Sequence, residues 1–376
     1  MILADAPFAV REGGMLSRLE VGLVDEGVRL VHAAPNSVAR GQPGAPAGEL
    51  FVRVIPYEDR GPGILRRLRD RRFAAELARL REPDDERPID VIHVFGEGAW
   101  ATGVDLAESL DAALAVEAWS AGLIPRIVRT RWPGGVERPP LVFFAPDRAI
   151  ETRLRDEVER HGVGAVRLTP WGVHTPAHAH ELLPPNRAPS AMIAGSGRDP
   201  EAWAAVLSAL AAPGPQTRLM IFADAEAVAA ARAWPVVNRL GLTDRFTLTP
   251  SVEARRELTL QCDLLILPEA LGEHRSLTLD AMAAGVVVIA AADPMVAVFA
   301  EGTTARVVER PSHERWSAAL AALLDNPDQA RALAESARDH VRRNQRASMH
   351  VASIADAYEW MTAGDTLPFG RLPHVR

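Results

Sequence analysis

The chain has 376 residues, is 48% hydrophobic and 24% charged, and carries a net charge of −7. These values give a globular protein with a sizeable core and length for two domains, and they argue against a nucleic-acid binder, whose footprint is basic. No run reaches the ~18 apolar residues of a membrane-spanning helix, and Cys262, the sole cysteine, excludes an internal disulfide and a cysteine-held zinc.

The first residues, "MILADAPFAVREGG", place no basic region before their apolar ones, so no signal peptide is expected and a cytoplasmic location follows. Strands are expected at "VRLVHAA", "DVIHVFG", "PRIVRT", "LVFFAP" and "GAVRLTP", with helices over 62–81, 105–121 and 147–161 between them. The alternation breaks at "WGVHTPAHAHELLPPNRAPS", whose prolines and scattered polar residues read as a linker, set at 174–189. It resumes with strands at "SAMIAG", "TRLMIFAD", "RFTLTP", "DLLILP" and "VVVIAAA", separated by helices over 200–211, 225–240, 253–261 and 277–284. After residue 311 the strands stop and helices follow at 313–325, 328–344 and 348–362. Apolar strands alternating with helices mean βαβ units and parallel sheets covered on both faces. The expectation is a first domain over 1–173, a second over 190–345, and a C-terminal helix and tail over 346–376 that return to the first.

All 42 basic residues are arginine, so no Schiff-base lysine or P-loop lysine is available. Ligands of such sheets bind beyond the carboxyl ends of the strands, where helix N-termini offer N–H groups. One stretch has that design: "LLILPEALGEHRSLTLDAMAAGVVVIAAADP", residues 264–294. Pro268 ends a strand, Ser276 is placed to cap a helix from Leu277, and Gly285 suits its C-terminus. The amides of Leu277 and Thr278 with the charge of Arg275 would then receive an anion. An ordinary βαβ unit with a polar loop would look the same.

The stretch from Pro268 to Gly285 resembles the C-terminal domain of GT-B glycosyltransferases, especially family 4 and its glycogen-synthase relatives. "REGGMLSRLEVGLVDEGVRLVHAAP" resembles that family's glycine-rich first loop, helix and second strand, and "DVIHVFG" its Asp-x-x-His strand. "VRLTPWGVH", "SAMIAGSGRDPEAWAAVLSAL" and "NRLGLTDRFTLTPSV" resemble further segments in the same order. The resemblance implies an α/β protein of two Rossmann-like, doubly wound parallel-sheet domains with a cleft between them. It implies a retaining glycosyltransferase using a nucleotide-sugar co-substrate, with no cofactor and no bound metal. Arg198, Arg275, Ser276, Leu277 and Thr278 would hold the diphosphate, Asp280 the ribose and Glu273 the donor sugar. Gly13, Gly14 and His93 would face a glycan, lipid-linked or small-molecule acceptor, with the inner membrane face as a place of contact.

The departures are specific. Counting the family's spacing back from Asp280 puts its first acid at Gly272, with Glu273 adjacent. Ser196 and Glu201 stand where the family has an Arg and a Lys on the diphosphate. Trp171 and His174 replace the Asn and Asp of its turn, and Val287 a proline. Arg131 and Trp132 occupy the region of a further histidine. A non-catalytic binding or partner subunit of glycan assembly is therefore the rival reading, and a GT-B epimerase, whose motifs are not evident, a third. "HTPAHAH" offers three histidines, but Pro176 argues against a metal site. Asp224 and Glu226 of "FADAE" fit helix capping better than metal binding. For Trp100, Trp132 and Trp171, packing is favoured over stacking on a sugar.

Overall fold

The computed structural model describes residues 1–39, 52–58, 63–80, 87–132, 140–249, 252–310 and 312–363. The chain divides into two compact units, one of Met1–Trp171 with Ala347–Arg376 and one of Gly172–Arg346.

Unit 1 runs β1 (Ile2–Ala4), α1 (Ala6–Asp25), β2 (Leu30–Pro35), α2 (Asn36–Ala39), β3 (Val52–Tyr57), α3 (Gly63–Ala78), β4 (Val91–Phe95), α4 (Trp100–Leu110), β5 (Ala113–Glu117), α5 (Ile124–Ile127), β6 (Leu141–Ala145), α6 (Arg148–His161) and β7 (Ala165–Leu168). Its seven strands are parallel in the order β3-β2-β1-β4-β5-β6-β7. Every residue of β4, β5 and β6 is buried, as expected of a sheet covered on both faces. Unit 2 runs β8 (Ser190–Ile193), α7 (Pro200–Ala211), β9 (Met220–Asp224), α8 (Ala225–Ala230), α9 (Trp234–Arg239), β10 (Phe246–Thr249), α10 (Val252–Thr259), β11 (Leu264–Leu267), α11 (Arg275–Ala284), β12 (Val287–Ala291), β13 (Arg306–Val308), α12 (His313–Leu324) and α13 (Pro327–Asn344). Its six strands are parallel in the order β10-β9-β8-β11-β12-β13. The core of unit 2 joins Ile193, Ile221, Leu264 and Ile289 of the sheet to Trp203 of α7 and Trp316 of α12.

The last helix, α14 (Ala347–Thr362), belongs to unit 1. It lies so close to α1 that a Cβ on Gly22 would sit 2.3 Å from Val351 Cγ2.

Three expectations are corrected. "PRIVRT" is not a strand: Ser120 accepts the Gly122 N–H, Pro125 stands in the first turn of α5, and the place beside β5 belongs to β6. The helix expected over 105–121 ends at Asp111, whose φ of 53° is left-handed, and β5 follows. Its alanines favour a helix locally, but burial between β4 and β6 decides in favour of strand. The segment 174–189 is no free linker, because it is hydrogen-bonded along unit 2. His180 N–H donates to Ala284 O at 2.7 Å, and Leu183 N–H to Asp263 Oδ1 at 2.7 Å. Asp263 also accepts from Arg187 at 2.8 Å and from Ser190 N–H at 2.8 Å; burial raises its pKa, but the His180 side chain first, then these amides and Arg187, hold its carboxyl below the usual range.

Candidate active site

In doubly wound sheets the ligand crevice lies beyond the carboxyl ends of the two strands where the order reverses. In unit 2 those strands are β8 and β11. They end in "GSGRDP" (195–200) and "PEALGEHR" (268–275), so sheet topology alone brings together two of the stretches that the sequence singles out.

Glu269 joins them. Its carboxylate accepts the N–H groups of Ser196 (2.5 Å), Gly197 (3.1 Å) and Asp199 (2.8 Å), with Ser196 Oγ at 3.3 Å. Gly195 is required here, because a Cβ would lie 2.5 Å from Glu269 Oε2. Successive amides converging on an oxyanion form an anion-binding concavity, and this one already holds the protein's own carboxylate. The sequence reading passed over Glu269. Its signal was an acid placed directly after a strand-ending proline at a sheet switch point.

The corresponding place in unit 1, between β1 and β4, is built in the same way. Asp5 accepts the N–H groups of Phe8 and Gly98 at 2.8 Å each, and Gly96 has φ 89° with no room for a Cβ against that carboxylate. Burial raises the Asp5 pKa, and the two amides act against that rise.

The loop after Glu269 folds back through two left-handed residues, Gly272 (φ 67°) and His274 (φ 57°). Gly272 N–H donates to Asp293 Oδ2 at 2.8 Å, and Asp293 Oδ1 accepts from Met295 N–H at 2.9 Å. Position 272, expected to carry the first acid, therefore holds a backbone conformation suited to glycine. Glu273 is the acid present. Its side chain is 7% exposed and pairs at 3.1 Å with Arg198, which is 61% exposed. Two predicted site residues thus meet directly. Gly195, Ser196, Glu269, Gly272, Glu273, His274 and Phe299 surround a space of about 10 Å³, room for about one water.

Helix α11 begins two residues earlier than expected, at Arg275, with His274 as its N-cap. Ser276 is therefore inside the first turn and does not cap it. Thr278 N–H donates to His274 O at 3.0 Å and its hydroxyl to the same oxygen at 2.9 Å, so the expectation of an open amide at Thr278 is corrected. The amides of Arg275, Ser276 and Leu277 precede the first intrahelical bond. Arg275 is buried and donates to Met295 O at 3.2 Å. Asp280 is buried and accepts from Arg256 Nε on α10 at 3.0 Å, a partner that the sequence reading did not supply. Gly285 closes the helix with φ 88°.

In unit 1, Gly13 and Gly14 are not in a loop. They lie within α1, just after a kink at Glu12 (φ −116°, ψ 18°). Asp5 caps α1 and Pro7 is in its first turn, so helix starts where a loop was expected. The kink leaves open space beside Gly13, with no atom within 4 Å of a notional Cβ.

His93 is fully buried, which corrects the expectation that it faces a ligand. Its Nδ1 lies 2.8 Å from the Tyr358 hydroxyl of α14, and its Nε2 3.4 Å from Glu117. Glu117 accepts the Trp171 indole N–H at 2.6 Å. Burial, with His350 nearby, lowers the His93 pKa well below the usual value, and burial raises that of Tyr358. The network fastens α14 to β4 and β5. Trp100 and Trp132 pack on each other, with ring centroids 5.5 Å apart, and Trp132 donates to Ile127 O at 2.7 Å. Asp224 caps α8 through the N–H groups of Glu226 and Ala227 and pairs with Arg255. Among the described residues no group of three or more His, Cys, Asp or Glu is placed to hold a metal ion, and no helix is long and apolar enough to cross a membrane.

The family model of glycosyl transferases group 1 matches residues 230–340. No curated protein matches the chain. Among solved structures, the chain is similar to a sucrose-phosphate synthase from Thermosynechococcus elongatus, with a TM-score of 0.73 at 16% identity over 97% of this chain and 99% of that one. Anabaena HepE in complex with UDP-glucose gives a TM-score of 0.70 at 14% identity, over 96% and 99% of the two chains. A glycosyltransferase from Rickettsia africae gives 0.66 at 13%, over 97% and 99%. At these identities the likeness shows the fold. The matched 230–340 segment includes Glu269, Glu273, α11 and Asp280. The chain has the GT-B fold, and its residues 230–340 match the family model of glycosyl transferases group 1.

Proposed function

We propose that the protein is a glycosyltransferase that moves a hexosyl-type sugar from a nucleotide-sugar donor to an acceptor hydroxyl, with retention of anomeric configuration and without a bound metal. The observation that carries this reading is the meeting of Arg198 with Glu273 beside the first turn of α11 at the β8/β11 switch point, where Glu273 and α11 lie inside the segment that the family model matches. Structural neighbours solved with UDP and with UDP-glucose support a nucleotide-sugar donor.

In this reading Arg198 turns from Glu273 to the donor diphosphate, joined by the Leu277 amide and the positive end of α11. Ser276 and Arg275 hold that turn in place. Glu273, released from Arg198, accepts hydrogen bonds from the donor sugar. Asp280 faces the ribose hydroxyls in exchange for Arg256. The departing phosphate takes the acceptor proton, so no separate base is required. The open space at Gly13 is the acceptor side, and the acceptor is a glycan, a lipid-linked saccharide or a small molecule.

Arg198→Ala is expected to weaken UDP binding by about 10- to 100-fold, the value of a lost charge-assisted contact. Glu273→Gln is expected to lower turnover far more than it changes UDP affinity. Calorimetric titration with UDP and initial rates check both. UDP affinity unchanged in Arg198→Ala would remove the phosphate assignment.

One observation favours the rival reading of a non-catalytic binding subunit. The amides after β8 are occupied by Glu269, and Arg198 by Glu273, leaving about 10 Å³. A subunit of that kind would bind UDP no better after Glu273→Gln and would form no product with any donor.

A further inference from the structure

The loop that carries Arg198 is fixed by one side chain from another loop. Its four N–H groups from 196 to 199 all have acceptors. Ser196 and Gly197 donate to Glu269 Oε2 at 2.5 and 3.1 Å, and Asp199 to Oε1 at 2.8 Å. Arg198 N–H donates to Ser196 Oγ at 3.3 Å, and that hydroxyl donates in turn to Glu269 Oε2 at 3.3 Å. The ends of the loop are equally constrained. A Cβ on Gly197, whose φ is 73°, would sit 2.3 Å from Ala227 O of α8, and the Asp199 side chain accepts Ala202 N–H at 3.0 Å to cap α7. Arg198 therefore combines a fixed backbone with a guanidinium that is 61% exposed. Glu269 belongs to the loop 268–275 that also supplies Glu273, so the two loops meet twice: Glu269 holds the backbone and Glu273 the guanidinium. The place of this cation matters, because Arg275, the other arginine of the two loops, is buried and donates to Met295 O at 3.2 Å.

We propose that Glu269 is a positioning residue of the donor site: it acts on the donor phosphates only through Arg198, by holding the arginine's backbone where the guanidinium can pass from Glu273 to a phosphate. This role rests on the donor reading above. The geometry gives the two carboxylates different tasks. Glu273 meets an exposed guanidinium at 3.1 Å, a contact that a phosphate can take over. Glu269 meets three backbone N–H groups, and letting go of them would release the loop itself. A phosphate in place of the carboxylate would require Glu269 to leave, and the space beside it is about 10 Å³, room for about one water. With Glu269 in this role, the occupied amides shape a working site rather than block one.

The test is a double-mutant cycle on the full chain, read by calorimetric titration with UDP, GDP and ADP and with inorganic pyrophosphate. Glu269→Gln keeps one accepting oxygen but turns an NH2 group on the remaining N–H donors, which shifts Arg198 without deleting it. It should weaken binding of the preferred nucleotide about 3- to 10-fold, less than Arg198→Ala does, and weaken pyrophosphate binding by the same factor. In the Arg198→Ala background it should change binding by less than about two-fold, because the group it acts through is gone. Glu269→Ala, which frees the amides, adds a second readout. Acetate, compared with sodium chloride of equal ionic strength, should tighten nucleotide binding in that variant by restoring the loop and leave the parent unchanged. Acetate that weakens nucleotide binding there, or Glu269→Gln that binds more tightly than the parent, would mean that a phosphate takes the place of the carboxylate and would overturn the proposal. A purely structural Glu269 would lower the melting temperature and alter binding by equal factors in both backgrounds, which would overturn the proposal and leave the donor reading intact. A parent that binds neither a nucleotide nor pyrophosphate would overturn both.

Discussion

Glu269→Ala is expected to destabilise unit 2 by about 2–3 kcal/mol. Three backbone N–H groups and one hydroxyl converge on its carboxylate. Hydrogen bonds to a charged acceptor contribute about 1.5–3 kcal/mol each, but the residue is half-buried, so water replaces part of what is lost. Glu269→Gln keeps the shape and one accepting oxygen, so it should lose less than half as much. Urea unfolding of the three proteins reads the difference as a shift in midpoint at constant slope. If the amides form an anion seat, acetate should restore part of the loss in Glu269→Ala and leave the parent unchanged. A variant as stable as the parent would mean that the loop holds its shape without the carboxylate.

Acid is expected to unfold unit 1 well before its surface carboxylates account for it. His93 and His350 are both buried and neutral in the fold. The pKa of His93 is lowered well below the usual value, and burial with nearby Arg18 lowers that of His350 to about 3. In the unfolded chain an imidazole takes its proton near pH 6.5. Below that pH the unfolded state binds more protons than the folded one, so stability is full at neutral pH and falls as pH drops. The decline for His350 ends only near pH 3. His350 costs about 2 kcal/mol between pH 7 and pH 5, and His93 acts in the same direction. Asp70 acts in the opposite sense: burial and Asp105 raise its pKa to about 6, which offsets part of the loss. Thermal melts at pH 7 and pH 5 should show a drop that shrinks in His350→Gln. An equal drop in that variant would place the acid sensitivity elsewhere.

The parallel α/β plan was legible because buried strands such as "DLLILP" and "VVVIAAA" are continuous apolar runs. The segments that were misread lack that signature. β1 is only three residues long, Ile2–Ala4, and is held between β2 and β4 by pairing that leaves no local trace. β5 is alanine-rich and becomes a strand only through its neighbours. At the site, Arg198 and Glu273 were readable as charged groups at strand ends, but their mutual pairing depends on the order of β8 and β11. The occupation of the loop amides by Glu269 depends on it too. His93 had the right residue type in the right strand. Its burial is set by Tyr358, which is 265 residues away in sequence.

The central claim, that the switch point of unit 2 serves a nucleotide-sugar donor, is tested most directly by incubating the protein with UDP-, GDP- and ADP-sugars and detecting both the released nucleotide and the glycosylated product. The account predicts that one nucleotide class binds, that its sugar is transferred with retained configuration, and that Arg198→Ala suppresses both. No binding of any nucleotide at millimolar concentration would contradict it.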